Sequence, residues 1–140
     1  MKTLLYNISG YCLCGGVQFT IKQMKNSLCA CHCETCRRWS GGPLLSVDCG
    51  KKVTFKNKNN ISVYDSSDWA ERGFCGHCGT HLFYRYIPDD KYFMPIGLLN
   101  EQENIYFDHQ IFINEKPTYY CFANKTIMMT AEEVFAQFLK

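Results

Sequence analysis

The sequence predicts a mainly β domain that ends in one α-helix, and two patterns predict it. Apolar residues recur with period two in short runs bounded by Gly, Asn, Asp and Pro, which marks half-buried strands. Near the C-terminus the period changes to that of a helix, behind a capping signal. In chain order, Val17, Phe19 and Ile21 alternate with polar residues after Gly15-Gly16. Val53 and Phe55 form a further strand, closed by the solvated turn Asn57-Lys58-Asn59-Asn60. Leu82, Tyr84 and Tyr86 alternate with His81, Phe83 and Arg85. Ile111 and Ile113 flank Phe112, and Tyr119-Tyr120-Cys121-Phe122 is made of β-prone types. Thr130 followed by Glu133 matches a capping box, and Ala131, Val134, Phe135, Phe138 and Leu139 then form the apolar stripe of a helix expected to pack on the sheet.

A chain of 140 residues fits a single domain over residues 1–140 and can bury a core without covalent staples. With 46% hydrophobic and 20% charged residues it reads as globular rather than disordered. A formal charge of +2 gives no electrostatic reason to expect nucleic acid or a membrane surface as partner. No apolar run is long enough to span a bilayer. Residues 1–9 carry one lysine and only the short apolar run Leu4-Leu5-Tyr6, too little for a signal peptide, so a cytoplasmic setting is expected.

Ten cysteines dominate the chemistry. Eight fall in three clusters: Cys12-Leu13-Cys14, then Cys29-Ala30-Cys31-His32-Cys33-Glu34-Thr35-Cys36, then Cys75-Gly76-His77-Cys78. Cysteines one residue apart are poor disulfide partners, so these gaps point to metal ligation. Zinc takes thiolates in a tetrahedron, and Cys75-x-x-Cys78-Gly79 has the form of a zinc knuckle. Cys12 and Cys14, also followed by glycine, read as an extended segment whose side chains face one way. Joined, these pairs make a closed, structural four-thiolate site, although spacing alone leaves open which pairs share an ion.

In the second cluster Cys29, Cys31 and Cys33 share one face of an extended segment, and Cys36 returns after a turn. Three thiolates leave an exchangeable position suited to catalysis; a fourth, from Cys29, closes the site. Arg37 and Arg38 follow directly, placed to offset the negative charge of such a site and to hold an anionic ligand. Glu34 and His32 are the nearest acid–base candidates and are expected at the surface. His77, inside the third cluster, is expected to yield to the thiolates. His81 and His109 are expected in ordinary core or surface roles, and Cys49 and Cys121 as buried thiols.

Together the motifs resemble the glutathione-dependent formaldehyde-activating enzymes, a family that shares its domain with centromere protein V. The resemblance begins at Cys12-Leu13-Cys14-Gly15-Gly16-Val17 and continues through Cys31-His32-Cys33-Glu34-Thr35-Cys36-Arg37-Arg38. Residues 67–74 leading into Cys75-Gly76-His77-Cys78-Gly79-Thr80 are included, as are Ile96-Gly97-Leu98-Leu99 and His109. It implies a zinc-ribbon-like β-tent fold with two zinc ions. It implies a structural site of Cys12, Cys14, Cys75 and Cys78, and an open, catalytic site of Cys31, Cys33 and Cys36. The implied activity is that of a carbon–sulfur lyase joining glutathione to formaldehyde, or the reverse, with Arg37, Arg38 and Arg72 as candidates for the glutathione carboxylates. The sequence departs from the family pattern at Cys29, an added thiol, and at Tyr119-Tyr120, where relatives often carry tryptophan. Two other functions fit the cysteine content. One is a binding module with both zinc ions structural; the other is a redox protein similar to methionine sulfoxide reductases, with Cys121 or Cys49 as nucleophile.

Overall fold

The computed structural model describes residues 3–4 and 7–138, with the backbone alone at 3, 4 and 138. Its strands are β1 (Thr3–Leu4), β2 (Ile8–Tyr11), β3 (Gln18–Ile21), β4 (Met24–Lys25), β5 (Ser27–Cys31), β6 (Leu44–Gly50), β7 (Val53–Lys56), β8 (Ile61–Ser67), β9 (Ala70–Cys75), β10 (His81–Tyr86), β11 (Lys91–Pro95), β12 (Tyr106–Ile111) and β13 (Ile127–Met129). The helices are α1 (Glu34–Ser40) and α2 (Ala131–Phe138). The fold is mainly β with a C-terminal helix, as the sequence predicts. The chain forms two compact units, Met1–Asn26 with Val47–Asn104, and Ser27–Ser46 with Ile105–Lys140.

In the first unit β2, β3 and β7 form an antiparallel sheet in which Phe19 lies opposite Phe55. β8, β9, β10 and β11 form an antiparallel meander. Phe55 packs on Phe83, with ring centroids 5.5 Å apart, and Phe83 meets Tyr92 edge-on at 5.0 Å. Ile8, Val17, Ile21, Met24, Val47, Leu82 and Met94 complete this core, all fully buried. The period-two reading therefore holds for β3 and β7. It breaks in β10, where the register shifts between His81 and Phe83. This bulge leaves Leu82 and Phe83 both buried instead of on opposite faces.

In the second unit β13, β12 and β5 lie side by side in that order, with β12 parallel to both β13 and β5. β12 ends at Ile111 because Phe112 takes a left-handed conformation (φ 55°) and a single 3₁₀ turn follows at Ile113–Glu115. The expected strand through Ile113 is thus interrupted. Residues 119–122, expected as β, are not in a strand; the aromatic side chains there serve ring contacts rather than a ladder. At α2 the capping box forms as expected: the Glu133 N–H donates to Thr130 Oγ1 at 3.2 Å and the Thr130 N–H to Glu133 Oε1 at 3.1 Å. Val134 is buried and Phe135 meets Phe112 edge-on at 5.6 Å. The Phe138 side chain and Leu139, the rest of the predicted stripe, lie outside the described residues, as do Leu5 and Tyr6.

Helix α1 is not anticipated by the sequence reading, which places a turn before Cys36. Its signals are local: Glu34 in the first turn and Arg37 and Arg38 in the last complement the helix dipole. Gly41 (φ 79°) ends it by donating its N–H to the Arg37 carbonyl at 2.8 Å.

One glycine governs the approach to the first cysteine cluster. Gly10 in β2 lies opposite Phe19 and bridges to Leu99. A Cβ there would come within 2.2 Å of the Leu98 carbonyl oxygen and 2.3 Å of the Phe19 ring. Gly10→Ala is expected to destabilise the zinc-loaded protein by about 1–3 kcal/mol, as overpacking typically does, measured by urea unfolding.

Candidate metal centres

The first centre is built from two turns in the first unit, each closed by a left-handed glycine. β2 stops at Tyr11, so Cys12 and Cys14 do not lie on a strand as expected; they occupy a tight turn. Gly15, at φ 76°, donates its N–H to the Cys12 carbonyl at 2.9 Å. β9 ends at Cys75, and Gly79, at φ 77°, donates to the Cys75 carbonyl at 2.8 Å. Glycine is needed at both points because the left-handed region is costly for other residues. Each turn aims backbone N–H groups at sulfur: Val17 at Cys12 Sγ (3.3 Å), Gly16 at Cys14 Sγ (3.4 Å) and His77 at Cys75 Sγ (3.4 Å). The four Sγ atoms of Cys12, Cys14, Cys75 and Cys78 lie within 4.8 Å of one another.

The electrostatics of this group follow from its crowding. The Thr80 hydroxyl and N–H, together with the Cys14 N–H, hold the Cys78 thiol down at about 5. Leu13 N–H donates to Thr80 Oγ1 at 3.1 Å, which turns the hydroxyl hydrogen toward Cys78 Sγ, 3.1 Å away. The Gly16 N–H favours the Cys14 thiolate, but the sulfurs of Cys12 and Cys78 outweigh it and push Cys14 up to about 12. Four sulfurs this close cannot all ionise without a cation among them. An all-sulfur donor set with N–H groups directed at it fits zinc.

Asn60 ties the two turns together, a role the sequence reading misses by treating residues 57–60 as a solvated turn. Its side-chain N–H donates to the Gly16 carbonyl at 2.9 Å, and its Oδ1 accepts from His77 Nε2 at 3.0 Å. Its carbonyl accepts the Gly76 N–H at 2.7 Å. His77 thus braces the knuckle and is outside the four-thiol group.

The second centre lies in the second unit. Cys31 ends β5, Cys33 is the N-cap of α1, and Cys36 sits in the helix's first turn. The Cys36 N–H donates to Cys33 Sγ at 3.3 Å. The three Sγ atoms lie within 4.8 Å of one another. Cys31 and Cys36 are buried with Leu44, and Ile111 and Phe112 pack against them. Hydrogen bonds with Cys33 and Cys36, and then burial, drive the Cys31 thiol strongly upward. A bound cation would relieve that crowding, and the three-sulfur set fits zinc with one position left over. Cys29, two residues back and opposite His109 on β12, is outside the group of three. Burial, and then the charges of Cys36 and Asp108, push it up to about 12.

The flanking residues separate into distinct roles. Arg37, Arg38, Glu34, Gly41 and Tyr119 line an open pocket of about 380 Å³. Arg38 pairs with Glu34 at 2.9 Å on the exposed helix face, while Arg37 Nε donates to the His32 carbonyl at 2.9 Å. Arg72, in the first unit, is only 4% exposed and lies over the Tyr84 ring at 4.9 Å, so it is no surface anchor for a carboxylate. His32 is not the surface residue expected: it is fully buried and bonded at both ring nitrogens, to Tyr120 and Gln110. Burial holds it below the ordinary histidine range, so its ring is neutral. His81 is half-buried, and His109 Nδ1 donates to Asp108 at 2.7 Å. Cys49 is fully buried as expected, with burial raising its thiol, whereas Cys121 is exposed.

Two thiol-only groups that could hold a metal ion, on a mainly β scaffold, fit a zinc-binding β domain. The chain belongs to the glutathione-dependent formaldehyde-activating enzyme family, whose pattern matches residues 7–115. It is 40% identical over 132 residues to an uncharacterised lyase of Schizosaccharomyces pombe, a match covering 94% of this chain and 96% of that protein. Its fold is similar to the crystal structure of a Rhodobacter sphaeroides protein (TM-score 0.58, 20% identity, 66% of this chain and 87% of that one). Among the described residues no helix is long and apolar enough to cross a membrane.

Elemental analysis of protein purified under reducing conditions is expected to find about two zinc ions per chain, falling to about one in Cys78→Ser and in Cys36→Ser. Alkylation of the native protein should label Cys121 rapidly and spare Cys49 until unfolding, read by peptide mass mapping.

Proposed function

We propose that this protein is a zinc-dependent carbon–sulfur lyase. It joins glutathione or a related thiol to formaldehyde or another small carbonyl, and it runs the reverse cleavage. In the forward step a bond forms between the thiol sulfur and the carbonyl carbon, and the proton lost from sulfur returns through solvent to the carbonyl oxygen. No oxidant or reductant is required. Cys31, Cys33 and Cys36 are the residues for the catalytic ion, and Cys12, Cys14, Cys75 and Cys78 those for a structural one. A zinc ion held by three thiolates supplies Lewis acidity, keeping a thiol ionised or polarising a carbonyl.

The observation that carries this reading is the placement of Cys36 on the same short helix as Arg37 and Arg38, which line the pocket. Guanidinium groups there bind carboxylates by charge-assisted hydrogen bonds, and glutathione carries two. Glu34, in the same pocket, is of the sign to meet an ammonium group. The apolar surroundings of Cys31 and Cys36 exclude water from the sulfur side of the site. Family membership and the lyase name of the yeast relative support the same class of reaction. In this reading residues 1–140 act as one cytoplasmic domain, and the family match over residues 7–115 includes parts of both compact units; its partner is a small thiol, not nucleic acid or a membrane.

Exchange NMR between free glutathione and its formaldehyde adduct tests the proposal. The wild-type protein should raise the exchange rate well above the spontaneous one, and Cys36→Ser should return it to that baseline. Arg38→Ala should raise KM for glutathione roughly tenfold, the loss of one or two charge-assisted hydrogen bonds. A wild-type rate equal to the spontaneous rate would refute the assignment.

A further inference from the structure

We infer that His32 is a positioning residue: it pins the segment 116–122 as a strap that places Tyr119 in the wall of the substrate pocket. The inference rests on the proposed function only for what the pocket holds. His32 stands between two cysteines of the second centre, yet none of its polar groups is available for ligation or proton transfer. Its N–H donates to the Ile111 carbonyl at 3.2 Å, and its carbonyl accepts from Arg37 Nε at 2.9 Å. The Gln110 side-chain N–H donates to Thr126 Oγ1 at 2.9 Å, which turns Gln110 Oε1 toward the imidazole. His32 Nε2 therefore carries the proton and donates to that oxygen at 2.7 Å. Nδ1 is left as an acceptor for the Tyr120 hydroxyl, also at 2.7 Å.

The same imidazole stacks on Tyr120, with centroids 5.5 Å apart at 29°, and meets Phe122 at 6.1 Å. Residues 116–122 have no regular secondary structure beyond a turn, so these contacts hold them in place of a ladder. Lys116 closes the strap on itself. Its ammonium donates to the carbonyls of Pro117 and Tyr120 and lies 5.2 Å over the Tyr120 ring. Pinning Tyr120 fixes its neighbour. Tyr119 is 75% exposed, contacts the Tyr120 ring edge-on at 5.3 Å and lines the pocket with Glu34, Arg37 and Arg38. His32 thus reaches the pocket from two sides, through Arg37 by its carbonyl and through Tyr119 by its ring. Tyr119 is thereby a specificity-determining residue, selecting thiols long enough to touch the wall while their sulfur lies at the three cysteines.

The test uses zinc-loaded Tyr120→Phe, which keeps the stacked ring and removes only the hydroxyl. Zinc per chain is expected to match wild type. KM for glutathione should rise about fivefold, the worth of one hydrogen bond, with kcat within about twofold. KM for 2-mercaptoethanol, which has no carboxylates for the pocket, should stay unchanged. Amides of residues 118–122 should exchange with deuterium at least about fivefold faster. In a Tyr119→Ala background, Tyr120→Phe should add no further rise in KM, because it acts through Tyr119. An equal KM rise for both thiols, loss of zinc, or unchanged exchange over 118–122 would overturn the inference. Absence of saturable glutathione binding by wild type in calorimetric titration would instead refute the proposed function. The exchange comparison then decides the strap by itself.

Discussion

Crowding of sulfur is the constraint on which the rest depends. Seven thiols are held in two groups, each with its Sγ atoms within 4.8 Å of one another, and each ionisation opposes the next. In thiolate form such groups need backbone dipoles and a cation to compensate them. The chain supplies the dipoles. N–H groups of Gly16, Val17, His77 and Cys36 point at sulfur, and the turns that aim the first three require left-handed glycines at positions 15 and 79. A bound cation would complete the compensation, and the all-thiol donor sets fit zinc.

The two centres solve the same problem in different surroundings. In the first, two glycine-closed turns bring their thiols together, and Asn60 joins them with both ends of its side chain. Its four sulfurs lie within 4.8 Å of one another. In the second, three sulfurs come from a strand end and a helix start, and an apolar shell of Leu44, Ile111 and Phe112 backs them. This centre has three sulfurs rather than four, with arginines on the same helix that line a pocket. His32 belongs to it as a brace rather than a participant, because both its nitrogens are already engaged.

The fold was legible where strand and burial periods coincide. Phe19 and Ile21 in β3, and Phe55 in β7, face the core as alternation requires. The capping box at Thr130 was legible because capping is local chemistry, requiring only two side chains three residues apart. Legibility failed where one residue changes the backbone. A bulge at Leu82 and the left-handed Phe112 each break a strand pattern that composition alone continues. The aromatic run at 119–122 has strand-like residues, but its rings are used for packing on His32 and Phe107, and β propensity cannot distinguish the two uses.

The sequence by itself determined the chemistry of the centres: which residues are thiols, at what spacing, and that arginines follow the second cluster. Ligand type and short-range spacing are properties of the chain, and metal preference follows from them. Tertiary structure decided which thiols meet. It gathered Cys12 and Cys14 with Cys75 and Cys78 and left Cys29 outside the second group, because grouping depends on turn shape and strand register rather than on composition. It also decided that His32 is a buried brace, that Asn60 is a tie and that Arg72 is interior. Those roles require partners distant in the chain: His77 lies 17 residues from Asn60, and Tyr120 lies 88 from His32. Only the folded chain brings such partners within hydrogen-bonding distance.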